Sequence, residues 1–322
     1  MPLVAACAMK LPAQIDGLDT ADLPPKPLHL AIGMFDGVHL GHRAVIEAAV
    51  QSARRSDAIS GVLTFWPHPS TLFRPENPTK LIQDAPTKSR ILLALGVDAV
   101  ITQAFTPELA AVPADEFLPW LKERLPSLAA VYTGENFRFG RNRRGDVGML
   151  VASGRQHGVR VFSAPRVNLD GEPISSTRVR AQLEAGDIES ANALLGYTYF
   201  AEGVVTPGKR LGRTLGFPTL NVPWAPELRP RFGVYAVRVS DPKSRTPLPA
   251  VANYGLRPTV EDSAEPRLEA HVLGECPFGE GDTLRIEWLH FLRPEKKFAN
   301  VAELRRQVEQ DRIAADSVLR AG

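Results

Sequence analysis

Two histidines, His39 and His42, lie three residues apart where the sequence pattern changes from strand to helix. The mostly apolar segment Leu28–Ile32 predicts a short buried strand, and a helical pattern begins at Gly41. A helix N-terminus offers unpaired backbone N–H groups and a favourable dipole to an anion. The spacing therefore predicts a site where two imidazoles donate to a nucleotide triphosphate and stabilise charge on a leaving pyrophosphate.

The glycines of this segment favour a phosphate ligand over a metal. Gly37 and Gly41 allow the backbone to approach a ligand closely, which a zinc site does not need. Two alternatives stay open: a zinc site that His68 completes, and two surface histidines at a helix start. No cysteine or acidic residue with zinc-ligand spacing lies nearby, so we expect phosphate rather than zinc.

Two further polar segments of the first half suit phosphates. Ile174–Arg178 precedes a helical pattern, where Ser and Thr serve either as N-caps or, together with Arg178, as a triphosphate clamp. A basic loop surrounds Phe137–Gly140. Three interpretations are open: a solvated surface loop, an RNA-contacting patch, or a mobile arginine loop that covers bound phosphates. Because no basic stripe occurs elsewhere, we favour the cover; its arginines are Arg138, Arg141, Arg143 and Arg144.

The second half carries a glycine-rich basic loop, Gly208–Asn221, before a predicted strand. It is not a P-loop, because no Gly-Lys-Ser/Thr opens a helix; a flexible hairpin is the plain alternative. Thr219 and Asn221 alternate and so share one face of the strand, where oxygen ligands suit Mg²⁺ beside phosphates. On a later strand, Glu269 is either a surface residue or a base that accepts a hydroxyl proton.

These residues need elements that position them, and the pattern up to Phe162 alternates strand and helix. Such alternation predicts a parallel sheet with helices on both faces. Ligands bind beyond the carboxyl ends of such strands, so the histidine turn, Trp66–Pro69 and Gly134–Phe137 should converge. The predicted strands are Leu28–Ile32, Gly61–Phe65, Asp98–Ile101, Ala129–Thr133 and Val159–Phe162, and the helices are Gly41–Arg55, Pro86–Leu95, Ala114–Arg124 and Asp146–His157.

The pattern changes after a helical stretch over Ser176–Leu195. Short alternating strands with Gly and Pro turns then predict a small closed β-barrel, and a helix over Val301–Val318 ends the chain. We place the domain boundary near residue 186, giving domains 1–186 and 187–322. The predicted barrel strands are Phe200–Val205, Thr219–Val222, Gly233–Val239, Ala250–Tyr254, Arg267–Leu273 and Thr283–Phe291.

Composition excludes several classes of protein. The chain has 322 residues, 44% hydrophobic and 23% charged, with a net charge of +2, which is too balanced to indicate a polyanion partner over the whole surface. Its 2 cysteines provide no disulfide framework, and no apolar run reaches the roughly 18 residues of a membrane span. We expect a cytoplasmic protein without a membrane or nucleic-acid partner, whose residues 1–26 form a mobile start rather than a signal sequence.

The motifs of the first half resemble the adenylyltransferase module of bacterial bifunctional riboflavin kinase/FMN adenylyltransferase, also called FAD synthetase. Met34 stands where that family usually has Asn. The resemblance implies a Rossmann-like nucleotidyltransferase domain that transfers AMP from ATP to FMN, releasing pyrophosphate. The motifs that carry it are Ile32–His42, Thr64–Pro69, Gly134–Gly140 and Ile174–Arg178.

The family's roles fall on named residues of this half. His39 and His42 would be catalytic and stabilise the transition state. Asn136 and Arg138 would bind the flavin substrate. The phosphate-binding residues that the resemblance implies are Gly33, Phe35, Asp36, Gly37, Gly41, Ser176, Thr177 and Arg178.

The second half resembles the riboflavin kinase module of the same family. The matching motifs are Gly212–Asn221, Gly233–Tyr235, Asn253–Thr259, Leu268–His271 and Leu292–Phe298. The resemblance implies a six-stranded barrel in which Gly212, Arg213 and Phe217 bind ATP. Thr219 and Asn221 would hold Mg²⁺, and Glu269 would activate the ribityl 5′-hydroxyl. Two departures are Leu220 in place of the usual Ala and a shorter, less acidic loop at Gly274–Gly279.

The expected protein is thus an α/β domain followed by a β-barrel domain. It should convert riboflavin to FMN and FMN to FAD, with ATP as the second substrate of both reactions and Mg²⁺ as cofactor. Three rival functions are a kinase with an inactive amino-terminal half, a flavin-binding regulator and an RNA-linked nucleotidyltransferase. Intact His39, His42 and Glu269 argue against the first two, and the lack of an added basic domain argues against the third.

Overall fold

A computed structural model gives the structure of the chain and describes residues 11–208, 216–242, 246–256 and 266–321. The chain divides into two compact units, Met1–Ser176 and Thr177–Gly322. The domain boundary near residue 186 stays a prediction, because a domain is defined by the ability of its fragment to fold independently. No helix of the described residues is long and apolar enough to cross a membrane.

The first unit is built on a six-stranded sheet in which all neighbouring strands are parallel. Its strands are β1 (Ala13–Asp16), β2 (Leu28–Ile32), β3 (Ile59–Trp66), β4 (Ala99–Ala104), β5 (Leu128–Gly134) and β6 (Arg160–Ala164). The spatial order is β1–β4–β3–β2–β5–β6. The order reverses between β2 and β5, and ligands bind at such a switch point in open α/β sheets. A hairpin follows, consisting of β7 (Asn168–Leu169) and β8 (Glu172–Pro173).

Helices cover both faces of this sheet. They are α1 (Leu40–Arg55), α2 (Ser70–Phe73), α3 (Ala85–Ala94), α4 (Pro107–Ala111), α5 (Phe117–Arg124) and α6 (Val147–His157). Every residue of β2 is buried, and its alternating side chains enter two separate cores. Leu30 lies in one core with Leu121 of α5, and Ala31 lies in the other with Ile46 of α1. The predicted parallel sheet between helix layers is confirmed.

The expectation of a mobile start over residues 1–26 is wrong for its described part. Strand β1 pairs in parallel with β4 at the edge of the sheet, from Ala13 to Asp16. The alternation of β1 buries Ala13 and Ile15, and Leu18 follows them into the same core. Four residues with two apolar positions are too short a pattern to distinguish a strand from an irregular segment.

The second unit begins with two helices rather than the single helical stretch that the pattern predicts. They are α7 (Ser176–Ala185) and α8 (Ile188–Leu195). The break has a physical cause, because Gly186 has φ +83° and the Asp187 side chain caps α8 by accepting the Ser190 backbone N–H at 3.1 Å. Glycine is the residue that most readily takes such a conformation, and Asp is a favoured N-cap.

Six antiparallel strands form the barrel of the second unit. They are β9 (Phe200–Val204), β10 (Leu220–Pro223), β11 (Gly233–Ser240), β12 (Leu248–Leu256), β13 (Pro266–Val272) and β14 (Thr283–Pro294). Their order is β10–β13–β12–β11–β14–β9, and an antiparallel bridge between Thr206 and Asn221 connects the two ends. The predicted six-stranded barrel is confirmed.

Large aromatic side chains fill the barrel interior. Trp288, Tyr235 and Tyr254 are fully buried, and the Tyr235 hydroxyl donates to the Arg231 carbonyl. The terminal helix, α9 (Val301–Ala321), packs outside on β11 and β12. Its buried Asp311 accepts two hydrogen bonds from the Arg293 guanidinium of β14, at 2.8 and 2.7 Å, which fixes the helix on the barrel.

Candidate functional site

The loop between β2 and α1 has an unusual backbone. Phe35, Gly37 and Val38 all have positive φ values, of 49°, 82° and 41°. Glycine accepts this region without cost, but a β-branched residue such as Val38 is a true outlier there. Phe35 and Val38 are both buried, so their side chains anchor the loop in the core while its backbone remains strained.

The two histidines form one stacked unit at the start of α1. His39 is the N-cap of the helix, and its Nδ1 accepts the backbone N–H of His42 at 3.3 Å. A neutral His39 therefore carries its proton on Nε2. The two rings stack with centroids 3.6 Å apart, and the edge of the Phe35 ring contacts His42. His39 is only 5% exposed, so the alternative of two surface histidines is wrong.

Two of the predicted glycines lie close against these aromatic rings. A Cβ atom on Gly41 would lie 3.2 Å from the His39 ring, and one on Gly33 would lie 2.9 Å from the Phe35 ring. Both glycines thus allow the rings to take their positions at the carboxyl end of β2. Their predicted contacts with phosphate stay a prediction.

Asp36 and Ser176 come together in the structure. The buried Asp36 carboxylate accepts the Ile82 backbone N–H, at 3.0 and 3.3 Å to its two oxygens. The Ser176 hydroxyl donates to the Asp36 carbonyl at 2.8 Å, which brings Ser176 to the histidine loop. Thr177 and Arg178 continue into α7 in the second unit, and their phosphate contacts stay predictions.

A buried lysine that belongs to none of the sequence motifs lies beneath this loop. Lys88 of α3 is 2% exposed, and its ammonium donates to the Thr64 hydroxyl at 2.8 Å, the Met34 carbonyl at 3.2 Å and the Phe65 carbonyl at 3.4 Å. Burial lowers the pKa of Lys88 to about 8, although the nearby Asp36 carboxylate opposes that shift. The sequence does contain a hint, since Lys88 lies one helical turn before the buried Leu92 and so interrupts an apolar stripe.

A cavity of about 740 Å³ opens beside the histidine loop. Gly33, Pro69 and Phe137 line it together, which confirms that the loops after β2, β3 and β5 converge. Its walls are rich in aromatic rings that come from segments distant in sequence and that have no role in the sequence predictions: Phe65, Phe73, Phe105, Phe117 and Phe139. Apolar walls with a few polar groups are typical of small-molecule sites.

The predicted flavin-binding residues lie on the rim of this cavity. Asn136 is exposed, and its amide oxygen accepts a hydrogen bond from Arg166 at 2.7 Å. Arg138 is exposed and lies 3.6 Å from the Asp146 carboxylate. The remaining arginines of the loop, Arg141, Arg143 and Arg144, are also exposed. Arg166, which orients Asn136, was not anticipated from the sequence.

The zinc alternative receives no support in the structure. His68 Nδ1 accepts the backbone N–H of Ser70 at 3.1 Å, and Nδ1 of His39 is used in the same way within α1. Among the residues that the structure describes, no three His, Cys, Asp or Glu side chains are grouped as a metal site requires.

The polar residues of the barrel form a row across three strands. Asn221 of β10 pairs with Glu269 of β13, which pairs with Asn253 of β12. All three are half-buried, whereas Leu220, Ala270 and Ala252 in the next row are buried. Directly paired residues point to the same face of a sheet, so the predicted base and the predicted Asn ligand are neighbours. Asn253 is a further member of this row, and the sequence motifs assign it no role.

The glycine-rich loop starts against this row. A Cβ atom on Gly208 would lie 2.2 Å from the Asn221 amide, so the backbone passes directly over that side chain. Thr219 comes just before β10, and its carbonyl accepts from the Asn221 amide at 3.5 Å. Phe217 packs edge-on against His271. The predicted ATP-binding residues Gly212 and Arg213 lie outside the described residues, as does Arg257–Thr259.

Comparisons with known proteins agree with this division of the chain. Residues 23–178 match the family model of FAD synthetase, and residues 195–319 match that of riboflavin kinase. A crystal structure from Streptococcus pneumoniae, described as a macrolide-efflux protein, has a TM-score of 0.84 at 26% identity and covers 94% of this chain and 98% of that one. Its description applies to that protein; the likeness here is one of fold.

Curated relatives cover nearly the whole chain. A bifunctional riboflavin kinase/FMN adenylyltransferase of Escherichia coli strain K12 is 36% identical over 307 residues, which is 95% of this chain and 97% of the relative. Proteins of the same name from Haemophilus influenzae and Bacillus subtilis are 34% and 33% identical and cover 92% and 89% of this chain, and 96% and 90% of their own lengths. The chain therefore belongs to the bifunctional riboflavin kinase/FMN adenylyltransferase family.

Proposed function

We propose that the two units perform successive reactions on one flavin. The barrel unit transfers the γ-phosphoryl group of ATP to riboflavin, giving FMN and ADP. The first unit then transfers AMP from a second ATP to FMN, giving FAD and pyrophosphate. One observation supports this proposal above the others. The N-terminus of α1, which suits a phosphate group, and an apolar cavity lie together at the switch point of the sheet.

Adenylyl transfer needs alignment and charge stabilisation more than proton transfer. The FMN phosphate is already an anionic nucleophile, so its oxygen attacks the α-phosphorus while the bond to pyrophosphate breaks. His39 and His42 donate to the phosphates on which charge develops. Their stacking and the fixed His39 tautomer hold these donors in place before the reaction begins, which reduces the cost of reorganisation.

The aromatic cavity is the proposed place of the flavin ring. A planar, largely apolar heterocycle suits a cavity of about 740 Å³ lined by Phe65, Phe137 and Phe139. Asn136 and Arg138 on the rim then contact its polar edge or the FMN phosphate. Arg166 supports this role, because its hydrogen bond fixes the orientation of the Asn136 amide.

In the barrel, Glu269 is the proposed base for the riboflavin 5′-hydroxyl. It accepts the hydroxyl proton as the ribityl oxygen attacks the γ-phosphorus. The donor set beside it fits Mg²⁺, since Asn221 offers an oxygen ligand next to the Glu269 carboxylate and Thr219, two residues earlier, offers a second. Mg²⁺, when bound there, would neutralise phosphate charge.

One incubation tests the proposal. The pure protein is mixed with riboflavin and MgATP, and the products are separated by chromatography over time. We expect FMN to appear first and FAD to follow, with ADP and pyrophosphate released. FMN without FAD would contradict the role of the first unit, and binding of riboflavin without product would indicate a regulator. Because ATP is needed twice, we also propose a cytoplasmic location, which cell fractionation tests.

A further inference from the structure

The strained loop of the first unit needs support from outside its own residues. Phe35 and Val38 hold positive φ values of 49° and 41° directly before His39. Such conformations persist only where neighbouring structure fixes them. If the loop relaxed, the N-cap of α1 and with it both imidazoles would shift.

That support comes from the segment Ile82–Lys88. The Ile82 backbone N–H holds the Asp36 carboxylate, and the Lys88 ammonium holds the Met34 carbonyl at 3.2 Å. The Thr64 hydroxyl completes a triangle, because it donates to the same Met34 carbonyl at 2.9 Å and accepts from Lys88 at 2.8 Å. The loop is thus held on both sides of Phe35: Met34 is bonded to Lys88 of α3 and to Thr64 of β3, and Asp36 is bonded to Ile82, which precedes α3.

Lys88 has no proton left for a substrate. An ammonium group has three N–H bonds, and the three acceptors of Lys88 are all oxygens of the protein: Met34, Thr64 and Phe65. We infer that Lys88 is a positioning residue for adenylyl transfer, which holds the strained loop so that His39 and His42 face the departing pyrophosphate. This inference rests on the proposed function of the first unit.

The hydrogen bond from Lys88 to residue 34 does not depend on the side chain at that position, where this chain has Met in place of the family's usual Asn. Lys88 binds the backbone carbonyl at position 34, which every residue type supplies. Lys88 affects stability as well as position. Burying a cation is costly, but Lys88→Met would leave the buried Asp36 carboxylate without its nearby positive charge, so we expect the variant to lose stability. The positioning role is therefore measured by kcat on folded protein.

The first test compares two lysines of the same unit. Lys88→Met removes the positioning contact, and Lys122→Met removes a lysine that donates to the Leu128 carbonyl at 3.0 Å, where β5 begins. We expect kcat for FAD formation from FMN to fall roughly 10–100-fold in Lys88→Met, with each KM changed less than about threefold. Lys122→Met should keep wild-type kcat, and both variants should phosphorylate riboflavin normally.

A second variant keeps the test decisive if Lys88→Met does not fold. Thr64→Val removes the other donor to Met34 and should also lower kcat without raising KM. The double variant should be no slower than the slower single variant, because both act through one contact. A folded Lys88→Met with wild-type kcat, or an unchanged kcat in Thr64→Val, would overturn the inference. Wild-type protein that makes no FAD would instead contradict the proposed function.

Discussion

The backbone N–H of His42 donates to the imidazole of His39, and the two rings stack with centroids 3.6 Å apart. This relationship makes the pair a single donor group whose geometry is set by the first turn of α1. The bond uses the backbone of His42, so removing the His42 side chain leaves the cap of the helix intact.

His42→Ala should therefore strongly slow FAD formation and leave riboflavin phosphorylation unchanged. Loss of one charge-stabilising donor raises the barrier by some ~3 kcal/mol, or about 100-fold in rate. Separate assays of FMN and FAD production measure this. The control is His157→Ala, which alters an exposed histidine at the end of α6. Equal loss of both activities in folded His42→Ala would contradict two separate sites.

Glu269→Gln should slow riboflavin phosphorylation by roughly 10²–10⁴-fold, the usual contribution of a positioned general base. FAD formation from supplied FMN should hardly change, and riboflavin should still bind, because Gln keeps the size and polarity of Glu. Glu287→Gln is a matched control, since Glu287 is also half-buried on a barrel strand. A wild-type rate in Glu269→Gln would remove Glu269 from the mechanism.

The domain boundary near residue 186 predicts that fragment 187–322 folds and phosphorylates riboflavin without making FAD. A fragment that starts at Thr177 should be more stable, because it keeps α7. The Leu183 carbonyl of that helix accepts the Arg231 backbone N–H at 3.0 Å, and the Ala185 carbonyl accepts from the Arg231 guanidinium at 3.2 Å. Circular dichroism and thermal unfolding compare the two fragments. A fragment 187–322 that is folded but inactive would show that the kinase site needs residues before 187.

Leu220→Ala should lower stability without changing ATP binding. Leu220 is 8% exposed and pairs with the buried Ala270, so it faces away from the row that contains Asn221. The cavity should cost about 2–5 kcal/mol in the free energy of unfolding, and the KM for ATP in the kinase reaction should stay constant. Leu256→Ala, at a position 39% exposed, should cost less than about 1 kcal/mol. Unchanged stability with weakened ATP affinity would mean that Leu220 reaches the site.

The burial of Lys88 should make the free energy of unfolding depend on pH in the alkaline range. Its pKa is about 8 in the folded chain and near the usual 10.5 when unfolded. Between these values the unfolded chain binds more protons, so the Lys88 contribution to the free energy of unfolding rises with pH, by about 3 kcal/mol in total. The stability difference between wild type and Lys88→Met should therefore shift in favour of wild type from pH 8 upward. Urea unfolding of both proteins across this range measures the shift, and a constant difference would refute it.

Local patterns were sufficient to predict most of the fold. The sequence predicts strand β2 at its observed bounds because four of its five residues are apolar, and it predicts α1 because the apolar spacing there is regular. Strand β1 was missed because four residues at a sheet edge carry too little pattern, and α7 and α8 were merged because apolar spacing continues across Gly186.

The site was predictable where its residues are contiguous in sequence. His39 and His42 belong to one motif, so their types and spacing indicate phosphate chemistry directly. Lys88 and the cavity phenylalanines act through contacts between segments far apart in the chain, such as the bond from Lys88 to Met34. No local pattern specifies such a contact; at most, a lysine in an apolar stripe indicates that some buried oxygen must receive it.

The bridge between Thr206 and Asn221, which closes the barrel, involves a residue of the proposed metal site. The Asn221 carbonyl accepts the Thr206 backbone N–H at 2.9 Å, while the Asn221 side chain belongs to the row with Glu269. Opening the barrel at this seam would therefore also displace a ligand residue. Any nucleotide bound there resists opening by mass action, so the lifetime of the folded barrel against proteases would rise with the supply of its own substrate.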